Sequence, residues 1–153
     1  FAAFGIDRSP QMGRQARRRL ESCQLSPSLT RSLAQRIPFP GRVFDQVVAT
    51  FPTEYIVHPD TLAEIFRVLR PGGSLIILPA ATITQPKSGR ERFGAWLFRA
   101  TGQIVKKDKR FQVQMEDPIR QAGFQIETRQ RPFKSSTIFI ILAQKPSITH
   151  LTT

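Results

Sequence analysis

Apolar residues in the middle of the chain first follow the spacing of a strand, then that of a helix, then that of a strand again. Val43, Phe44, Val47 and Val48 form an apolar run of strand length, rich in the β-branched residues that favour a strand covered on both faces, with Asp45 as its polar exception. Leu62, Ile65, Phe66 and Leu69 then recur at i, i+3, i+4 and i+7. They draw one apolar stripe down a helix whose other face carries Glu64, Arg67 and Arg70. Pro71-Gly72-Gly73 predicts the stop, because proline cannot continue a helix and glycine tolerates the positive φ of a helix exit or type II turn. Ser74 to Leu78 predicts the next strand. Strand, helix, tight turn and strand make one right-handed crossover unit of a parallel sheet.

Before this unit, Phe1 to Ile6 is a short apolar stretch that ends in Asp7. Ser9 fits a helix N-cap and Pro10 the first helical position, with Met12, Ala16, Leu20 and Cys23 predicting the apolar face. Ser26-Pro27-Ser28 predicts a loop, and Leu29 to Ala34 a weaker strand. After the unit, Thr82 to Gly89 predicts a loop, and Phe93, Trp96, Leu97 and Ala100 a helix ended by Gly102, followed by a basic loop from Lys106 to Arg110. Asp117-Pro118 predicts the start of a short helix that Gly123 closes. Phe124, Ile126 and Thr128 alternate as a strand, Arg131 to Ser136 turns the chain, and Thr137 to Ala143 reads as a closing apolar strand. One domain over residues 1–145 is expected, with a frayed tail over 146–153 whose fraying begins at Lys145.

Two places carry candidate chemistry. Asp7 closes a strand just ahead of a helix, which is where ligands bind in an open α/β sheet, and a carboxylate there can accept hydrogen bonds from ribose hydroxyls. The plainer reading of Asp7 is a helix cap. Glu54, Tyr55 and His58 follow the carboxyl end of the Val47-Val48 strand and border the same cleft, so Glu54 or His58 is a candidate general base. His58 stands immediately before Pro59 and also fits a cap; Tyr55 also fits simple packing.

Composition narrows the class. With 153 residues, 40% of them hydrophobic and twelve of them Phe, the chain can build a real core. The single cysteine, Cys23, rules out an intrachain disulfide and makes a reducing, cytoplasmic compartment the default, with a buried inert thiol as the expected state. No apolar run approaches the roughly 20 residues of a membrane-spanning helix. The net charge of +12 raises nucleic acid as a partner, yet the arginines are distributed, with local clusters only at Arg17-Arg18-Arg19 and around Lys106-Lys107, and no aromatic-studded strand accompanies them. A solvated surface is the expected reading.

Ile37-Pro38-Phe39-Pro40, Val43 to Val48, and Leu62 to Gly73 taken in this order resemble the second half of class I S-adenosylmethionine-dependent methyltransferases of the type that includes ubiquinone and menaquinone C-methyltransferases. The resemblance runs from Gly5 to about Leu142. It implies a doubly wound, mostly parallel, Rossmann-like α/β sheet with an antiparallel last strand, lacking the family's first strand and glycine-rich loop, which lies mid-sheet. It implies S-adenosylmethionine as cofactor, with Asp7 on its ribose, Arg8 and Met12 beside it, Leu33 and Ala34 at the adenine, and Thr50 and Phe51 against the methionine part. Leu33 departs from the family's acidic residue there, so a non-catalytic, degenerate binding module is an alternative, as is an RNA-associated methyltransferase. The implied reaction is methyl transfer to a small-molecule acceptor by a full-length parent, with cofactor binding by this fragment expected to be poor. The acceptor and the oligomeric state stay open.

Overall fold

The computed structural model describes residues 2–50, 52, 54–83, 109–133 and 136–147, with backbone alone at 80–83, 109–112, 132–133 and 136–137. In chain order the elements are β1 (Gly5–Asp7), α1 (Pro10–Ser22), β2 (Leu29–Arg31), β3 (Phe44–Thr50), a short 3-10 turn (Glu54–Val57), α2 (Pro59–Val68), β4 (Leu69–Ile83), α3 (Lys109–Gln121), β5 (Gln125–Phe133) and β6 (Ser136–Gln144). The strands form two sheets: β1 beside β2, and a four-stranded sheet in the order β3-β4-β6-β5. β1 and β2 are parallel, as are β3 and β4, while β6 runs antiparallel to both its neighbours. The mostly parallel α/β architecture with a reversed last strand is therefore present. The expected helix around Trp96 and the basic residues Lys106 and Lys107 lie outside the described residues.

The core sits on one face of the four-stranded sheet. Leu75 pairs with Ala143 and Ile77 with Ile141, so these four side chains share a face, and all are fully buried. Leu62, Ile65 and Val68 of α2 and Met115 and Ile119 of α3 complete that layer. Each such aliphatic burial is worth about 1.5–3 kcal/mol relative to exposure. Phe66, on the predicted stripe, is half-buried and meets Phe124 edge-on at 5.1 Å. On the opposite face Val48, Ile76 and Leu142 lie in one row across the sheet, and Val48 at its free end is 54% exposed.

Three expectations are corrected around α2. The Pro71-Gly72-Gly73 turn is not a gap between elements but an excursion inside β4, because Phe44 pairs with Leu69 and Gln46 already with Ser74. Gly72 has φ +76, and the backbone closes tightly on Gly73. β4 continues to Ile83, through the start of the predicted loop. Lys145, expected to fray, is buried: it brackets the excursion, its N–H donating to Gly73 O (2.9 Å) and its carbonyl accepting from Gly72 N (3.0 Å). Its Nζ donates to Phe66 O (2.6 Å) and Leu69 O (2.8 Å), carbonyls that the end of α2 leaves open, and lies 4.3 Å from the Phe66 ring. Burial lowers the Lys145 pKa, and the neighbouring charge of Arg42 adds to the effect.

Further differences have equally local causes. α3 begins at Lys109 rather than Asp117, so Lys109 and Arg110 belong to its first turn and Pro118 lies inside it. Met115 and Ile119, four apart on the buried face, account for the longer helix. Gly123 ends it with φ +93, as its sequence position predicts. Helix α1 has the predicted cap, Ser9 Oγ accepting from Met12 N (3.3 Å), but none of its residues is buried. Ala16 and Leu20 are half-covered while Met12 and Cys23 are exposed, because three-residue strands offer too little sheet to cover a helix face. The buried-thiol expectation for Cys23 fails for the same reason.

A Cβ at Gly73 would stand 2.9 Å from Arg70 O and 3.1 Å from Asp45 O, whereas one at Gly13 meets nothing within 4 Å. Gly73→Ala is expected to lower stability by about 1–3 kcal/mol. Gly13→Ala, inside α1, is expected to raise it by up to about 1 kcal/mol. Chemical denaturation of the two variants checks both signs.

Candidate functional site at the carboxyl ends of β1 and β3

Asp7 is the last residue of β1 and Thr50 the last of β3, and both are exposed. Two observations put these ends on one rim. At the start of the strands, the ring of Phe4, just before β1, lies 6.0 Å from that of Phe44, the first residue of β3, and Phe39 contacts both, at 5.3 and 5.2 Å. At the other end, the negative charge of Asp7 acts on the phenol of Tyr55, in the turn that follows β3. Burial is the larger cause of the upward shift of the Tyr55 pKa, with Asp7 adding to it. With their starts in ring contact and the charge of Asp7 reaching Tyr55, β1 and β3 run side by side in the same direction. No ladder joins them among the described residues.

Local chemistry orients Asp7. Its Oδ1 accepts from Ser9 N at 2.7 Å, closing a turn that leads into α1, and its backbone carbonyl accepts from Ser32 N at 3.2 Å. The capping reading of Asp7 is thus fulfilled by one carboxylate oxygen, while Oδ2 has no partner among the described residues. Because Asp7 pairs in register with Arg31, the chain leaving β2 emerges at the same rim, carrying Leu33 and Ala34. The predicted strand over Leu29 to Ala34 stops at Arg31, so Leu33 lies in the following loop, 48% exposed, and Ala34 is half-buried. Arg8 is exposed; its carbonyl accepts from Arg31 Nε at 3.2 Å. Met12, in the first turn of α1, is 51% exposed.

The candidate bases differ in their surroundings. His58 caps α2, its Nδ1 accepting from Asp60 N at 3.3 Å, so its capping role is present. Glu54 is exposed at the start of the 3-10 turn, and Tyr55 is 41% exposed beside it. Phe51 lies outside the described residues. The structure thus gathers Asp7, Leu33, Ala34, Thr50 and Tyr55 along one rim, with Arg8 and Met12 just beyond Asp7.

Sequence reading missed what holds this rim in place. Arg67 reaches back from α2 to the loop before β3, donating to Phe39 O (2.8 Å) and Ile37 O (3.0 Å), and pairs with Glu64 through Nε at 2.6 Å. Glu64 accepts in turn from Ile37 N (2.8 Å), and the Arg67 hydrogen bond, with that from Ile37, holds its carboxyl below the usual range. The spacing of Glu64 and Arg67, three apart on the polar face, was the available signal. Their loop targets had none. Among the described residues no cluster of His, Cys, Asp and Glu could hold a metal ion, and no helix is long and apolar enough to cross a membrane.

Comparison with known proteins agrees with this architecture. The family described as Methyltransferase domain matches residues 1–77. The ubiquinone/menaquinone biosynthesis C-methyltransferase UbiE of Neisseria meningitidis serogroup A is 34% identical over 89 residues, which cover 57% of this chain and 36% of that protein. The demethylmenaquinone methyltransferase of Symbiobacterium thermophilum is 30% identical over 168 residues, covering 93% of this chain and 65% of its own. The chain thus spans about a third of the first relative and just under two thirds of the second. A SAM-dependent methyltransferase structure from Methanosarcina mazei superposes with a TM-score of 0.63 at 19% identity, covering 94% of this chain and 82% of that one, a likeness of fold.

Tyr55 is the only tyrosine, so phenolate absorbance reports it alone. It is expected to titrate above the ordinary value of about 10. Asp7→Asn is expected to move that titration to lower pH without removing the part due to burial; an unchanged titration would separate the two rims.

Proposed function

Because this chain belongs to the methyltransferase domain family, we propose that its rim takes part in methyl transfer from S-adenosylmethionine to a small-molecule acceptor. The observation that carries this reading is the open Oδ2 of Asp7 on a rim shared with the end of β3. Oδ1 is held by Ser9 N, so the carboxylate is already oriented and its second oxygen can accept from the ribose hydroxyls. Leu33 offers apolar contact to the adenine ring, and the Ala34 N–H a donor to a ring nitrogen. Thr50 and Tyr55 border the side where an acceptor enters. The cofactor supplies a methyl group on a sulfonium. The residues around it contribute mainly orientation, since in-line placement of donor and acceptor accounts for much of such a barrier, and a dedicated base is not required for every acceptor. Glu54 is the better placed candidate for proton removal, since His58 Nδ1 is engaged in a cap. The names of the relatives favour a small, quinone-type acceptor over RNA.

Titration of S-adenosylmethionine into the labelled chain, followed by amide resonances, is expected to perturb Asp7, Ser32, Ala34 and Thr50. Asp7→Ala should weaken binding by about tenfold or more, as loss of a charge-assisted hydrogen bond implies. Perturbations centred elsewhere, or indifferent to Asp7→Ala, would contradict the assignment.

A further inference from the structure

Arginines that look distributed along the sequence are gathered by the fold around α1, and there they are not neutralised. Residues 2–36 carry seven arginines against two carboxylates, Asp7 and Glu21, and no lysine or histidine. None of the seven forms an ion pair among the described residues. The arginine ion pairs of the described residues, Arg67–Glu64, Arg70–Asp45, Arg120–Glu116 and Arg129–Glu127, all belong to the part of the chain that builds β3 to β6. The small sheet and its helix keep their positive charge bare.

Three of these arginines meet at one place. Arg14 and Arg17 of α1 and Arg31 at the end of β2 line the same groove between the helix and the strands. Arg31 is held there by the hydrogen bond from its Nε to Arg8 O at 3.2 Å. Arg18 follows Arg14 four residues on, so it continues the row along the helix. All four side chains are exposed. β2 pairs with β1, which is the strand in ring contact with β3, so the row lies on the side of the small sheet away from that junction. Glu21, one turn beyond Arg17 and Arg18, is the only carboxylate on the helix.

The chemistry of the row narrows what it fits. Every cation in it is an arginine, whose planar fork matches phosphate oxygens two at a time. A helix that rests on a membrane buries an apolar face in the lipid. Here Gly13, Ala16 and Leu20 are already half-covered, and Gln11, Gln15 and Ser22 share the outer face with the arginines. Met12 is the one large apolar side chain that α1 leaves exposed. Neither α1 nor β2 contains an aromatic residue that could stack on an unpaired base. Phosphate contact without base contact is the chemistry of a duplex backbone.

We propose that the row formed by Arg31, Arg17, Arg14 and Arg18 docks on the phosphate backbone of a nucleic acid duplex without reading its base sequence. The duplex is a docking partner and not the methyl acceptor. Asp7, at the rim end of the groove, repels phosphate and marks where the track stops. Neutralising about four phosphates makes the logarithm of the binding constant fall against that of salt concentration with a slope of about −3 to −4.

The test is fluorescence anisotropy of a labelled DNA duplex of about 20 base pairs, titrated with the full chain over a salt series. Micromolar binding is expected at about 50 mM salt, with that slope, and a duplex of unrelated sequence should bind within about threefold. Arg14→Gln with Arg18→Gln should reduce the slope by about 2. Glu21→Gln should tighten binding about twofold or more at low salt. Arg120→Gln with Arg129→Gln removes the same charge from exposed positions elsewhere and should leave the slope unchanged. No binding at about 50 mM salt, equal losses in the two double variants, or a preference of more than about tenfold for one duplex sequence would each overturn the proposal. So would tighter binding, dependent on Arg14 and Arg18, to vesicles of phosphatidylcholine and phosphatidylglycerol than to the duplex. None of these measurements involves S-adenosylmethionine, so they stand apart from the proposed reaction.

Discussion

Three phenylalanine rings pack between two sheets that no ladder joins among the described residues. Phe4 enters β1, Phe44 opens β3, and Phe39 comes from the loop between the sheets; their centroids lie 5.2 to 6.0 Å apart at tilted or edge-on angles. Contacts of this geometry contribute about 0.5–1.5 kcal/mol each beyond the area they bury. That is modest for a junction on which the rim depends. Where β1 points, Asp7 points, and with it the Oδ2 that has no partner among the described residues.

The loop supplying Phe39 is itself fixed from α2. Arg67 binds its carbonyl oxygens, and Glu64 binds both Arg67 and the Ile37 N–H, so an exposed arginine and a half-buried glutamate on one helix set the path of a distant turn. Lys145 does similar work at the far end of α2, joining the last carbonyls of the helix to the Pro71-Gly72-Gly73 excursion. These polar clamps surround the apolar layer of α2, β4, β6 and α3, and the layer is what makes β3 a rigid reference for the rim.

Periodicity foretold the elements whose side chains have somewhere to go. Leu62, Ile65 and Leu69 are buried on the stripe where their spacing puts them, and the closing strand is antiparallel as expected. Met12 and Cys23 obeyed the same spacing and are exposed, because a stripe records which face is apolar and not whether a sheet exists beneath it. The length of α3 was hidden by Asp117-Pro118, whose strong start signal lies inside a helix held by Met115 and Ile119. Lys145 looked like tail because its function is to bind carbonyl oxygens, which carry no mark in a sequence. Of the candidate site, the place of Asp7 between a strand and a capped helix was legible. Its proximity to Tyr55 was not, since the two are brought together only by the packing of separate sheets.

The central claim is that the end of β1 and the end of β3 share one rim. It is tested most directly by a nitroxide spin label at Thr50→Cys, in a chain whose exposed Cys23 is replaced by serine, read through the broadening of amide resonances. The structure predicts that Asp7, Arg8 and Ser9 are broadened strongly while Ala2 to Phe4 are spared. Broadening of Ala2 to Phe4 with Asp7 to Ser9 left sharp would place the two ends on opposite sides of the molecule, and the cleft would not exist.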